Sequence, residues 1–63
     1  MFIRLTDVVN ECTKFINIKY ITSINQIRTG ETLVEYVDGY LYCNSNPEDL
    51  VLEIERINNE ENK

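Results

Sequence analysis

Apolar residues recur at short intervals through the first two thirds of this 63-residue chain, and most of them are β-branched or aromatic. Residues of these types favour β-strands. The segment MFIRL at 1–5 therefore predicts a first strand, and CTKFINI at 12–18 predicts a second. Between them, TDVVNE predicts a turn, because Asp7 and Asn10 can hydrogen-bond nearby backbone groups.

The third apolar stretch, INIKYITSINQI, is ambiguous because its isoleucines stand three residues apart, at positions 18, 21, 24 and 27. That spacing suits a tight helix, whereas the β-branched and aromatic content favours a strand. We predict a turn over 17–19 and a strand over 20–27. A β-bulge in this strand would bring its isoleucines toward one face.

A β-hairpin is predicted for TLVEYVDGYLYCN, with strands over 32–37 and 40–44. Its two-residue turn is assigned to Asp38 and Gly39, which tolerate the left-handed backbone of a type I′ turn. An earlier turn over 28–31 places Gly30 where a positive φ is needed.

The last segment predicts a helix with a clear start. Asn46 is the expected N-cap, Pro47 fits the first helical position, and Glu48 and Asp49 face the positive end of the helix dipole. Apolar residues then follow at helical spacing, at Leu50, Val51, Ile54 and Ile57. We therefore expect one domain over 1–58, followed by an acidic tail over 59–63 that frays.

This order of elements predicts an α+β fold. We expect a small antiparallel β-meander, or a partly closed barrel, of four to five strands followed by one C-terminal α-helix. The chain has room for a single domain only.

Both faces of the predicted hairpin are apolar, although an antiparallel sheet with one wet face should alternate clearly. The expected turn pairs Val37 with Tyr40, Tyr36 with Leu41, Glu35 with Tyr42, and Val34 with Cys43. Opposed residues share a face. One face then carries Val34, Tyr36, Leu41 and Cys43, and the other carries Leu33, Glu35, Val37, Tyr40 and Tyr42. We expect the helix to cover the first face, which leaves the second to be covered in another way.

A second subunit can cover this second face, because a domain of this length buries little surface and gains stability from oligomerisation. We therefore predict a non-enzymatic interaction protein, a homo-oligomer whose partner-binding residues are Leu33, Val37, Tyr40 and Tyr42, which can also dock on a larger protein. The alternative is that the tyrosines line a barrel interior or stand in solvent as cross-strand neighbours.

Charge argues against direct binding to nucleic acid. The net charge is −5, and residues 45–63 hold six acidic residues against two basic ones. A chain without a basic stripe is repelled by phosphate backbones. The same charge permits a different function, that of an acidic inhibitor or nucleic-acid mimic of the phage or mobile-element type, with carboxylates at Glu48, Glu53, Glu55 and Glu60.

The chain offers no catalytic or metal-binding motif, and we expect it not to be an enzyme and to need no cofactor. It has no histidine, so neither a Ser-His nor a Cys-His pair can form. Two cysteines fall short of a tetrahedral zinc site, and Cys12 and Cys43 are interpreted as small core residues. Asp7 and Glu11 could share a cation, but a solvated turn explains them as well.

Arg4 and Asp7 interrupt the apolar N-terminus, so we expect no signal peptide, and no apolar run approaches the length of a membrane span. These features predict a cytoplasmic protein whose thiols are reduced rather than joined in a disulfide.

Several segments together resemble the small flagellar FlbD-like family and its phage and mobile-element relatives. They are IRLT at 3–6, FIN at 15–17, ITSI at 21–24, TLVEYVDG at 32–39 and NPEDLVLEI at 46–54. The resemblance implies a small cytoplasmic accessory protein associated with flagellar assembly or motor function. It carries over no catalytic residue, and Tyr40, Tyr42, both cysteines and the acidic tail depart from the family pattern.

Overall fold

The computed structural model describes residues 1–61, which form five strands and one long helix. The elements are β1 (Phe2–Asp7), β2 (Cys12–Asn17), β3 (Ile21–Gln26), β4 (Thr32–Tyr36), β5 (Gly39–Cys43) and α1 (Pro47–Glu61), with a short 3-10 turn at Ile18–Tyr20. This order confirms the predicted α+β meander with a C-terminal helix.

The strands of residues 1–61 form two antiparallel sheets and do not close into a barrel. One sheet is the β1–β2 hairpin, and the other has the order β3-β4-β5. The backbone N–H of Val8, just after β1, donates to the carbonyl of Tyr42 in β5 at 2.9 Å and joins the two sheets. Of the two predicted architectures, the structure is therefore the open meander and not the partly closed barrel.

The ambiguous isoleucine segment contains a turn and then a strand, as predicted. Asn17 begins the 3-10 turn, and its side-chain oxygen accepts a hydrogen bond from the Lys19 N–H at 3.1 Å. The pairing of β3 with β4 shifts between Ile21 and Ser23, which is the expected β-bulge. The shift lets Ile21 and Ile24 both pack against the core.

The predicted turn of the β4–β5 hairpin is wrong by one residue. Tyr36 pairs with Gly39, so the two turn residues are Val37 and Asp38 rather than Asp38 and Gly39. Gly39 has a φ of 157°, which favours glycine, whereas Asp38 is not at positive φ and a type I′ turn is absent here. The four predicted cross-strand pairs are also wrong, since Val34 lies opposite Leu41.

The division of the hairpin into two faces is nevertheless correct. The observed register differs from the predicted one by two residues, and side chains alternate with a period of two. Val34, Leu41 and Cys43 are buried on one face, together with Thr32. Leu33, Tyr40 and Tyr42 lie on the other.

Helix α1 begins as predicted. The Asn46 side chain accepts a hydrogen bond from the Glu48 N–H at 2.8 Å, and Pro47 is the first helical residue. The expected tail over 59–63 starts inside this helix, which runs to Glu61, while residues 62–63 lie outside the described residues. Fraying of the tail stays a prediction.

The core lies between the two sheets and one face of the helix. Each of β1, β2, β4, β5 and α1 contributes to it. Its buried apolar residues are Ile3, Leu5, Ile16, Ile18, Val34, Leu41, Cys43, Leu50 and Ile57. Val51, expected in the helix stripe, is 43% exposed and is not part of the buried core, because it lies toward the edge of the helix face that packs on β3.

Thr32 is a buried polar residue that connects the sheet to the segment before α1. Its hydroxyl donates to the carbonyl of Ser45. We expect Thr32→Val to lower the free energy of unfolding by about 1 kcal/mol, because the Ser45 carbonyl loses its donor. Urea denaturation measures this loss. Thr32→Ser, which keeps the hydroxyl, is the control, and a larger loss for Thr32→Ser than for Thr32→Val would contradict the prediction.

Candidate functional site

The four predicted partner-binding residues define what we call the tyrosine face: Leu33, Val37, Tyr40 and Tyr42. The structure brings three of them together on the side of β4–β5 away from the core. Leu33 lies directly opposite Tyr42 in the ladder, and Tyr40 is opposite Glu35. Val37 is in the turn at the end of the hairpin, because the turn begins one residue earlier than predicted.

The two tyrosine rings contact each other edge to face. Their centroids are 5.8 Å apart and their planes cross at 81°. This geometry is favourable for aromatic pairs, so each ring holds the other in place. The hairpin therefore presents a pre-ordered aromatic surface.

The tyrosine face is open to solvent at its outer end. Tyr40 is 62% exposed and Val37 is 68% exposed, whereas Leu33 and Tyr42 are half-buried. The tyrosines do not line a barrel, which leaves contact with a partner or exposure to solvent. Their role in binding stays a prediction.

Val9 extends this surface, and the sequence analysis did not identify it. Together with Asn10 in the β1–β2 turn, it borders a hollow of about 370 Å³ that is also lined by Tyr40 and Tyr42. Val9 is exposed. An exposed valine within a polar turn is the signal that could have identified it, but its position beside β5 depends on how the two sheets meet.

Asp7 fixes the β1–β2 turn beside the tyrosine face. One carboxylate oxygen accepts hydrogen bonds from the backbone N–H groups of Val9 and Asn10, each at 3.0 Å. The other oxygen accepts from the Asn10 side-chain amide at 2.9 Å and lies 3.2 Å from the Lys14 ammonium. The turn was predicted, but Asp7 is buried rather than solvated.

These contacts lower the pKa of Asp7 from 3.8 to about 2. The Asn10 backbone amide has the largest effect and the Asn10 side chain the next, while burial opposes both. Lys14 and the Val9 amide lower the pKa further. A carboxylate held by these hydrogen bonds stabilises the turn. Asp7 does not belong to a metal-binding cluster, because no group of three or more metal-ligating side chains occurs in the described part of the chain.

The acidic residues of α1 do not form one continuous row. Arg56 contacts Glu53 and also Glu60, at 2.8 Å from the latter, which neutralises part of the charge on that side. Glu48 and Glu55 instead line a different hollow beside Val51 and Leu52. This division does not favour a nucleic-acid mimic, which requires carboxylates at regular spacing on one surface.

A cavity of about 580 Å³ between β1 and α1 holds charges of both signs. Arg4, Asp49, Glu53 and Arg56 line it along with apolar residues. Its acids and bases compensate one another, and no cysteine lines it. The free thiols are elsewhere: Cys43 is buried in the core as expected, whereas the expectation of a core position is wrong for Cys12, which is exposed.

No helix in residues 1–61 combines the length and apolar character that crossing a bilayer requires. None of the protein-family models, curated proteins or solved structures compared with this chain matches it. The resemblance to FlbD-like proteins therefore stays a prediction.

Proposed function

We propose that this chain is a small, non-enzymatic accessory protein that self-associates through the tyrosine face. The observation that carries the proposal is the exposure of Val37 and Tyr40, both outside the core at the turn end of the hairpin. Tyrosine is enriched in protein interfaces, since its ring buries apolar area while its hydroxyl keeps a hydrogen-bonding partner.

The order of this surface supports binding. Tyr40 and Tyr42 both lie on β5, which is paired with β4, and their rings contact each other, so little conformational freedom is left to lose on association. Val9 and Val37 add apolar area at the margins. A copy of the same chain is a natural partner, because a symmetric dimer places the same patch on both subunits.

The proposal also includes a cytoplasmic location and a role in a larger assembly. We place the protein in the cytoplasm with both thiols reduced, which is supported by free cysteines at Cys12 and Cys43. The resemblance to FlbD-like proteins suggests that the assembly serves a larger machine, such as the flagellar apparatus. Neither nucleic acid nor a cofactor is part of the proposal.

The test is the absolute mass in solution, by light scattering after size exclusion in reducing buffer, over a range of protein concentrations. We expect the wild-type chain to form a dimer or higher oligomer. Tyr40→Glu should weaken association about thirtyfold or more, which corresponds to about 2 kcal/mol for the loss of a central tyrosine contact.

Phe15→Glu is the matched control, because Phe15 is 63% exposed, close to the 62% of Tyr40, but lies on the outer face of β2. Both variants add one negative charge, so general repulsion affects them equally. A wild-type monomer at all concentrations would refute the proposal, as would equal dissociation of the two variants.

A further inference from the structure

Strand β3 has a free edge in the described part of the chain. In the order β3-β4-β5 it pairs only with β4. An unpaired edge exposes backbone N–H and C=O groups that can bind another strand, and proteins usually protect such edges with lysine or proline. The segment ITSINQ of β3 contains neither.

The register identifies the backbone groups that face outward. The N–H of Ile27 donates to the carbonyl of Glu31 at 2.9 Å, so Ile27 faces β4. Residues of an antiparallel strand alternate between facing their partner and facing away. Ile24 and Gln26 therefore direct their backbone N–H and C=O groups toward the open edge, while Asn25 is bonded to β4.

An apolar groove runs along this edge between β3 and α1. We define the β3–α1 groove by Ile21, Ile24, Val51, Ile54 and Glu55, which together with Thr22 and Ser23 line a hollow of about 320 Å³. A neighbouring hollow of about 400 Å³ continues it past Leu52 and Glu48 and shares Val51 and Glu55. Val51 is 43% exposed, so apolar surface is available beside the free backbone groups.

The charge of the groove indicates the chemistry of its occupant. Glu48 and Glu55 line the continuous surface, and no basic side chain among residues 1–61 lines either part of it. The ion pairs of the helix involve Glu53 and Glu60 instead. A second copy of this chain is a poor match, because its net charge is −5 and its own β3 has no basic residue.

We propose that the β3–α1 groove binds an extended segment of a partner protein by strand addition to β3. The segment pairs with Ile24 and Gln26 through its backbone and places alternate apolar side chains against Val51 and Ile54. A basic residue beside them pairs with Glu55. Strand addition of this kind takes affinity from backbone hydrogen bonds and specificity from alternate side chains. The surface is separate from the tyrosine face, and the inference does not require self-association.

The first experiment selects from a displayed library of random peptides on the wild-type chain, with counter-selection on Val51→Lys. Val51→Lys fills the groove with a charge that repels basic peptides, at a position that is 43% exposed and lies outside the buried core. We expect enriched sequences that alternate apolar and other residues and carry lysine or arginine. No enrichment over the Val51→Lys variant would overturn the proposal.

The second experiment titrates the wild-type chain and two variants with a synthetic copy of the most enriched peptide. We expect Glu55→Lys to weaken binding about tenfold, against about twofold or less for Asp38→Lys. Both variants change the net charge equally, but Asp38 is in the β4–β5 turn and does not line the groove. Equal weakening by the two variants would overturn the proposal.

Amide hydrogen exchange measured by NMR locates the bound peptide. The Ile24 and Gln26 amides should exchange more slowly in the complex, while the Asn25 amide changes little. Slower exchange elsewhere, such as at β2, would overturn the proposal. Protection of Ile24 and Gln26 that rises with protein concentration without peptide would also overturn it, by showing that a second copy covers the edge. Tyr40→Glu should leave peptide binding unchanged, so this inference and self-association can fail separately.

Discussion

Leu41→Ala is expected to lower the free energy of unfolding by about 2–5 kcal/mol, because truncating a buried leucine loses transfer free energy and leaves a cavity. Leu41 is only 2% exposed and lies opposite Val34, which is fully buried. A chain of 63 residues has a total stability of about 3–9 kcal/mol at the usual value per residue. A large part of the variant population should therefore be unfolded at moderate temperature.

Urea denaturation at a fixed protein concentration measures this effect, since self-association would make the stability concentration-dependent. Leu52→Ala is the control, because it makes the same chemical change at a position that is 63% exposed. We expect it to change the stability by no more than about 0.5 kcal/mol. Similar losses for the two variants would contradict the assignment of Leu41 to the core.

Acid should destabilise the protein through Asp7. The pKa of Asp7 in the folded chain is about 2, below its ordinary value of 3.8. A carboxylate whose pKa is lowered by folding stabilises the folded state above its ordinary pKa, and this contribution is lost as the pH falls toward the folded value. The stability provided by Asp7 is therefore present at neutral pH and declines between pH 3.8 and about 2.

Asp7→Asn tests this prediction, because the amide keeps an acceptor oxygen for the turn but loses the charge that pairs with Lys14. We expect the variant to unfold at lower urea concentration at neutral pH. Its stability should also fall less steeply than that of the wild-type chain below pH 3.8. Asp38→Asn, an exposed turn residue, is the control and should keep the wild-type acid profile. An unchanged profile for Asp7→Asn would refute the role of Asp7.

The hairpin shows which features of the fold are encoded locally. The core-facing and outward-facing residues of β4 and β5 could be predicted, because side chains an even number of residues apart along a strand lie on the same face. The register could not, since a shift of two residues leaves both faces unchanged. Asp38-Gly39 is a strong turn signal, but the observed turn begins at Val37, and in this register Val34 lies opposite Leu41.

The candidate surfaces also differ in whether they depend on local sequence or on contacts between distant segments. The side of the sheet that carries Leu33, Tyr40 and Tyr42 could be predicted, because these residues lie in the two strands of one hairpin, whereas Val37 lies in the turn. The burial of Asp7 and the position of Val9 depend on how the first sheet meets β5. The β3–α1 groove requires knowledge of which strand is at the edge of the sheet and where the helix packs. Those facts come from contacts between segments that are distant along the chain.

The contacting tyrosines Tyr40 and Tyr42 also give the tyrosine face an intrinsic fluorescence signal. The chain contains no tryptophan and four tyrosines, so two of its four emitting side chains belong to the tyrosine face. Tyrosine fluorescence can therefore follow association at this surface without any attached label. A single Tyr20→Phe change would raise the share of the signal that comes from the tyrosine face.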